Sequence, residues 1–155
     1  MSIEAKSHSL TIRRKIRAPR QEVFDAWVKP ELRKKWWSAK TGMFCDLADI
    51  DAWKGGRYRI NMKDPEKDRE HVCVGEFVEY DEANKLVFTW SWEKEHSEVV
   101  GTQAVDTLVT IEFKDAAGGT EIILTHERFA AADVCDDHKG GWTGCLDSLE
   151  RVLSE

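Results

Sequence analysis

The closing stretch Asp133–Glu155, DVCDDHKGGWTGCLDSLERVLSE, decides how the rest of the chain must be arranged. Val134, His138, Trp142, Cys145, Leu146, Leu149, Val152 and Leu153 recur at steps of three and four, as on one side of a helix. Asp136, Asp137, Lys139, Asp147, Glu150 and Arg151 fall on the other side and suit water. Ala130, Ala131 and Ala132 lead in, and Asp133 is placed to cap the helix by accepting backbone N–H bonds. Gly140 and Gly141 each cost about 1 kcal/mol relative to alanine inside a helix. Their presence predicts a close approach or a bend at that point. A helix with one apolar side, following a run of strands, must lie across a sheet. What occupies the space between them is the functional question.

Working back from that helix, the preceding chain alternates with the period of strands. Thr120–Phe129 places Ile122, Leu124 and His126 on one face, and Asp106–Lys114 does the same with Val109, Ile111 and Phe113. Lys85–Trp92 is the clearest strand, with Leu86, Phe88, Trp90 and Trp92 together and Val87, Thr89 and Ser91 opposite. His71–Tyr80 reads as a long strand in which Gly75 marks a bulge or a close approach. Arg57–Lys63 alternates around Tyr58, Ile60 and Met62, after a turn at Asp51–Gly56. Met43–Ile50 is a noisier strand, because Asp46 and Asp49 interrupt it. Glu93–Val105 is polar and irregular, a candidate mouth loop.

The first third is different. Ser9–Arg17 reads as a strand, and Ala18-Pro19 ends it. Gln21–Lys29 carries Val23, Phe24, Trp27 and Val28 at helical spacing. Pro30 then opens a second short helix, Glu31–Trp37, with Leu32, Trp36 and Trp37 inward. Arg33-Lys34-Lys35 is read as the wet face of that helix, and Arg13, Arg14, Lys15, Arg17 and Arg20 as a solvated strand edge. The order is strand, two short helices, six strands and a long C-terminal helix. Short connections between successive strands imply an antiparallel meander, and the whole an α+β architecture.

With 155 residues, 41% of them hydrophobic and 34% charged, the chain reads as one globular domain over residues 1–155. The net charge of −6 opposes a nucleic-acid partner. No apolar run suits a membrane span, and Met1–Leu10 lacks a signal peptide's apolar core, so a cytoplasmic location is expected. Cys45, Cys73, Cys135 and Cys145 show no paired spacing and read as buried thiols. Seven tryptophans are the compositional oddity. Burying each is worth roughly 4–6 kcal/mol gross at about 25 cal/mol per Å². They form either a large aromatic core or the wall of a cavity.

Several segments together carry a resemblance. Ile16-Arg17-Ala18-Pro19 with Val23-Phe24-Asp25-Ala26-Trp27 resembles the opening of the START-like helix-grip (SRPBCC) superfamily. Pro30-Glu31-Leu32 followed by Trp36-Trp37 is similar to the second-helix signature of its activator of heat shock protein 90 ATPase homologue branch. Gly55-Gly56-Arg57-Tyr58, Gly75-Glu76-Phe77 with Asp81, and Leu86-Val87-Phe88-Thr89-Trp90 resemble that branch's glycine turn and central hairpin. Gly119-Thr120 with Leu124-Thr125-His126, then Gly141-Trp142 with Leu146 and Leu149, resemble its last strand and helix. The branch often follows its tryptophan pair with Gly-Pro, where this chain has Ser38-Ala39. The resemblance implies a seven-stranded antiparallel sheet gripping the C-terminal helix around a cavity. Superfamily members bind lipids, sterols, polyketides or plant hormones, and some are cyclases. Chaperone activation is not carried over, since the domain that drives ATPase stimulation in the eukaryotic co-chaperone has no counterpart here.

Alternation nominates Tyr58, Ile60, Met62, Phe77, Phe88, Trp90, Trp92, Val109, Ile111, Leu124, His126, His138 and Trp142 as lining groups, with Trp36 from the second helix. Three readings follow. The first is a binder of a small hydrophobic or aromatic ligand. The second is an interaction module with a vestigial pocket, dimerising through a strand edge. The third is a cyclase- or hydratase-type enzyme using His126 and His138 as acid–base groups, oriented by Asp46, Asp49 or Glu76. No cofactor is implied, and the loose Cys135/His138 pair does not make a metal site.

Overall fold

A computed structural model describes residues 8–93 and 106–154. The elements run β1 (His8–Ile16), α1 (Arg20–Val28), α2 (Pro30–Trp36), β2 (Phe44–Ile50), β3 (Arg57–Asp64), β4 (Arg69–Asp81) and β5 (Lys85–Trp92). They continue with β6 (Thr107–Ala116), β7 (Gly119–Phe129) and α3 (Ala132–Leu153). The seven strands form one antiparallel sheet in the order β1-β7-β6-β5-β4-β3-β2. Thus α1 and α2 carry the chain from one edge of the sheet to the other, and β2 to β7 then meander back to β1. This is the α+β helix-grip arrangement. Beyond residue 93 the expected mouth loop Glu93–Val105 lies outside the described residues.

Helix α3 buries Val134, Cys135, His138, Trp142, Cys145, Leu146, Ser148 and Leu149 and leaves its acidic side to water. Arg14 of β1 reaches that wet side, donating to Asp147 at 2.7 Å. Phe24 of α1 fills the other half of the core, edge-on to Phe113 and Tyr80 at 5.3 and 5.4 Å between centroids. The short helix α2 does not follow the simple inward and outward division read from its sequence. Arg33 is 4% exposed, against the wet face expected of it, and Leu32 is only half-buried. Seven residues held against α1, β2 and α3 have too little free circumference to keep all three basic residues in water. Lys34 and Lys35 take what there is.

Other local expectations also need correction. Helix α3 begins two residues early, so Ala131 and not Asp133 is its N-cap, with no side-chain bond, and Asp133 sits inside the first turn. Its carboxylate accepts from the Val134 N–H at 3.0 Å and still favours the positive end of the helix. Gly75 is a close approach and not a bulge: a Cβ there would overlap the Thr89 carbonyl oxygen and the Tyr58 ring. The register shift lies between Phe77 and Glu79, so Phe77 points inward while Val78 and Glu79 both face water. The noise in β2 has the same origin, an irregularity between Cys45 and Leu47 that leaves Asp46 outside the pairing.

The glycines of α3 are also not as expected. A Cβ at Gly140 or Gly141 would meet open space, whereas one at Gly144 would overlap the Ala39 carbonyl oxygen. The close approach is therefore at Gly144, where the α2–β2 connection passes under the helix. Gly144→Ala is expected to lower stability by more than about 1 kcal/mol, despite alanine's better helix propensity. Gly140→Ala should instead stabilise by about 0.5–1 kcal/mol. Urea denaturation midpoints of the two variants, read against the parent, check both directions.

Candidate ligand cavity

Between α3 and the β3–β5 half of the sheet the side chains leave a cavity of about 240 Å³. Trp90 is its centre, with the rings of Trp92, Trp142 and Trp37 at 5.3, 5.0 and 5.9 Å between centroids. The walls meet at steep angles, 85° for Trp90 with Trp92 and 65° for Trp90 with Trp37. Met62 of β3 and His71 of β4 line the sheet side, and Ala39 and Met43 come from the α2–β2 connection. Helix α3 contributes Asp137, His138, Gly141, Trp142 and Cys145. Gly141 has a function after all: with no side chain, it leaves the space beside Trp142 open.

The family model described as Activator of Hsp90 ATPase homolog 1-like protein matches residues 17–154. The chain belongs to this family. Protein CV1439 from Chromobacterium violaceum is similar in structure, with a TM-score of 0.79 at 19% identity over 96% of this chain and 99% of that one. The AHSA1-like protein from Aeromonas hydrophila superimposes with a TM-score of 0.77 at 20% identity, covering 95% and 92% of the two chains. CalU16 from Micromonospora echinospora follows at 0.69 and 20% identity, covering 96% and 77%. At such identities the likeness is one of fold. Among curated proteins, none matches this chain.

Within this AHSA1-like fold, the residues nominated from sequence separate into three groups. Met62, Trp90, Trp92, His138 and Trp142 border the cavity. Tyr58, Ile60, Phe77 and Phe88 lie away from it, around a void of only about 10 Å³. Trp36, Val109, Ile111, Leu124 and His126 are buried in packed interior and border neither space. Strict alternation put all of them on one inward face. It could not say which part of that face α3 and the tryptophans fill and which part they leave empty. Trp37, Ala39, Met43, His71, Asp137, Gly141 and Cys145 were not nominated. For Trp37 and Gly141 a signal existed, an inward tryptophan and an expensive glycine. Ala39 and Met43 lie in a connection without periodicity, and Asp137 reads as part of the wet side.

The two histidines are ordered by tryptophans. Trp142 donates its indole N–H to His126 Nδ1 at 3.0 Å. Thr107 spends its hydroxyl proton on the Trp90 carbonyl at 2.7 Å, so it must accept from His126 Nε2–H at 2.8 Å. Trp92 donates to His138 Nε2 at 2.9 Å, and His138 Nδ1–H donates to the Val134 carbonyl at 2.9 Å. All four ring nitrogens are committed and both imidazoles are neutral. Burial, reinforced by His138 alongside, pushes His126 down to about 2, and burial also lowers His138. The rings stand 5.4 Å apart, yet neither keeps a free nitrogen to move a proton. Asp46, Asp49 and Glu76 are exposed on the strands and orient neither. The acid–base pair read from sequence is a pair of acceptors that aim tryptophans. Cys145 is no nucleophile either, since burial raises its thiol to about 12. Among the described residues no three potential metal ligands gather.

These histidines carry a pH dependence. Their folded values lie below the ordinary 6.5, so in mildly acidic solution the unfolded chain binds protons that the folded chain refuses. The stabilisation is complete above pH 6.5 and declines as pH falls below it. His126 alone should cost roughly 2 kcal/mol between pH 6.5 and 5. Denaturation series at those two pH values are expected to show this loss, and His126→Asn should show a shallower pH slope from a lower starting stability.

Proposed function

We propose that the chain binds a small, largely apolar and preferably aromatic molecule in the cavity under α3. The observation that carries this reading is an apolar space of about 240 Å³ walled by four tryptophans, in a core that is otherwise closely packed. That volume is somewhat below the roughly 300–1,000 Å³ of drug-sized sites, so one or two fused rings suit it better than a sterol. The walls are preorganised. Histidine acceptors hold two of the indoles, and edge-to-face contacts are worth about 0.5–1.5 kcal/mol per aromatic pair beyond area burial. The AHSA1-like fold commonly encloses hydrophobic ligands, which agrees with this use. The setting we propose is cytoplasmic. All four cysteines are unpaired, and no described helix is long and apolar enough to cross a membrane.

An interaction-module reading has one observation of its own, Trp53 at 59% exposure on the Asp51–Gly56 turn. Reciprocal bonds tie that turn to β4: Gly55 N–H donates to the Phe77 carbonyl and Phe77 N–H to the Gly56 carbonyl, at 2.8 and 2.9 Å. Light scattering that gave a dimer, reduced to monomer by Trp53→Ser, would favour this second reading over a monomeric binder.

For the binding reading, titration with indole or naphthalene should change the intrinsic tryptophan fluorescence saturably. Gly141→Leu should fold, because nothing stands within 4 Å of a Cβ there, and its side chain should fill the cavity. It is expected to weaken probe binding at least tenfold while leaving the unfolding transition cooperative. Unsaturable fluorescence changes, or equal binding in the parent and Gly141→Leu, would remove the proposal.

A further inference from the structure

The rim of the ligand cavity differs chemically from its depth. Of the residues that line it, Ala39, Met43, His71, Trp92 and Gly141 are half-buried and Asp137 is exposed, so these six mark the mouth. Trp37, Trp90 and Trp142 lie buried behind them. Asp137 brings the one carboxylate among the lining residues, and no lysine or arginine lines the space. The buried polar groups of the wall are neutral. His138 has both ring nitrogens bonded, and burial raises the Cys145 thiol to about 12.

Helix geometry turns Asp137 toward that mouth. At about 100° per residue, the lining residues of α3 fall in one arc, in the order Asp137, Gly141, Cys145, His138 and Trp142. Asp137 stands at the outer end of the arc. Asp133, one turn earlier on the same face, extends the acidic edge, and Lys139 falls on the far side of the helix. The Asp137 carboxylate has no hydrogen bond or ion pair among the described residues. Its charge still reaches the wall: burial lowers His138, while the bond to the Val134 backbone and then the Asp137 carboxylate push that imidazole the other way. The nearby cations are already engaged, Lys40 of the α2–β2 connection with Asp64 and Lys63 of β3 with Asp46 and Glu70, each at 3.5 Å.

This arrangement discriminates among apolar ligands by their charge. A carboxylate on the ligand would lie beside Asp137 with no cation lining the cavity to receive it. A neutral ligand would leave Asp137 as it is. A protonated amine on a flat apolar body puts its rings among the indoles and its ammonium at the rim, where it gains the carboxylate without being stripped of water. Indole faces also attract cations, and the net charge of −6 draws them toward the protein.

We propose that the cavity is selective for amphipathic amines, with a flat apolar body among the tryptophans and a protonated amine at the mouth facing Asp137. This rests on the cavity being a ligand site and adds the sign of the ligand's charge. Asp137 is then the residue that determines specificity.

The test is calorimetric titration at pH 8, where ordinary imidazoles are neutral and primary amines are charged. The probes are tryptamine, tryptophol and indole-3-acetate, which share one ring and differ in charge. Tryptamine should bind the parent roughly threefold or more tighter than tryptophol, and indole-3-acetate more weakly than either. In Asp137→Asn the ratio of tryptamine to tryptophol affinity should fall to about one, and in the parent it should shrink as salt is raised. Tryptophol binding with tryptamine no tighter, or a preference for tryptamine that persists in Asp137→Asn, overturns the charge selectivity and leaves the apolar site standing. Failure of all three probes to bind overturns both.

Discussion

The indole of Trp142 is the point at which helix, sheet and the α1–α2 pair are joined. Its ring touches Trp90 of β5, Trp37 after α2 and Trp27 of α1, at 5.0, 5.5 and 6.0 Å between centroids. Its N–H is fixed to His126 of β7. Leaving a buried indole N–H without an acceptor costs free energy, as does charging a buried imidazole. One hydrogen bond limits both costs. It also sets the rotation of α3 about its own axis, which in turn determines the side chains presented to the sheet. The Trp92–His138 bond repeats the solution with donor and acceptor exchanged between sheet and helix.

Rigidity at that junction explains why the interior is not uniformly filled. Four large rings meeting at steep angles cannot close every gap, and the helix supplies no side chain at Gly141 to fill the one beside Trp142. Three residues further along the same helix surface, the opposite requirement holds. At Gly144 the absence of a side chain lets the Ala39 carbonyl come close, and the Ser38–Ala39 segment is thereby brought to the cavity rim. Glycines three residues apart therefore serve contrary ends, one keeping space and the other removing it. Asp64, buried at the end of β3, holds Lys40 at 3.5 Å and anchors the same segment from the sheet side.

Arg33 shows how far a short helix can depart from a simple amphipathic pattern. Three consecutive basic residues on an isolated helix would all reach water. In α2 the first of them is enclosed by Trp27, Trp36 and Trp37, and the attraction between cation and ring faces offsets part of the desolvation cost. The aromatic cluster is thus continuous from α1 through α2 to the cavity. Some of its polar atoms find acceptors, in His126, in His138 and in the backbone carbonyls of Ala26 and Trp27, whereas the indole nitrogens of Trp27 and Trp90 have none among the described residues.

Local periodicity by itself determined the ten elements, their order, the inward faces of β5, β6 and β7, and the one-sidedness of α3. Each of these depends on residues two, three or four apart, which is the range over which side chains share a face. Motif order then led to the helix-grip family. Tertiary structure alone decided which inward residues meet empty space and which meet each other. Leu124, Ile111 and Trp90 carry the same pattern in sequence, yet only Trp90 borders the cavity. It alone decided that Arg33 is buried, that His126 and His138 have no nitrogen to spare, and that Gly144 is the close approach. The reason is physical: these outcomes depend on partners from distant elements, as with Thr107 beside His126 or Ala39 beneath Gly144, and no spacing along one segment encodes them.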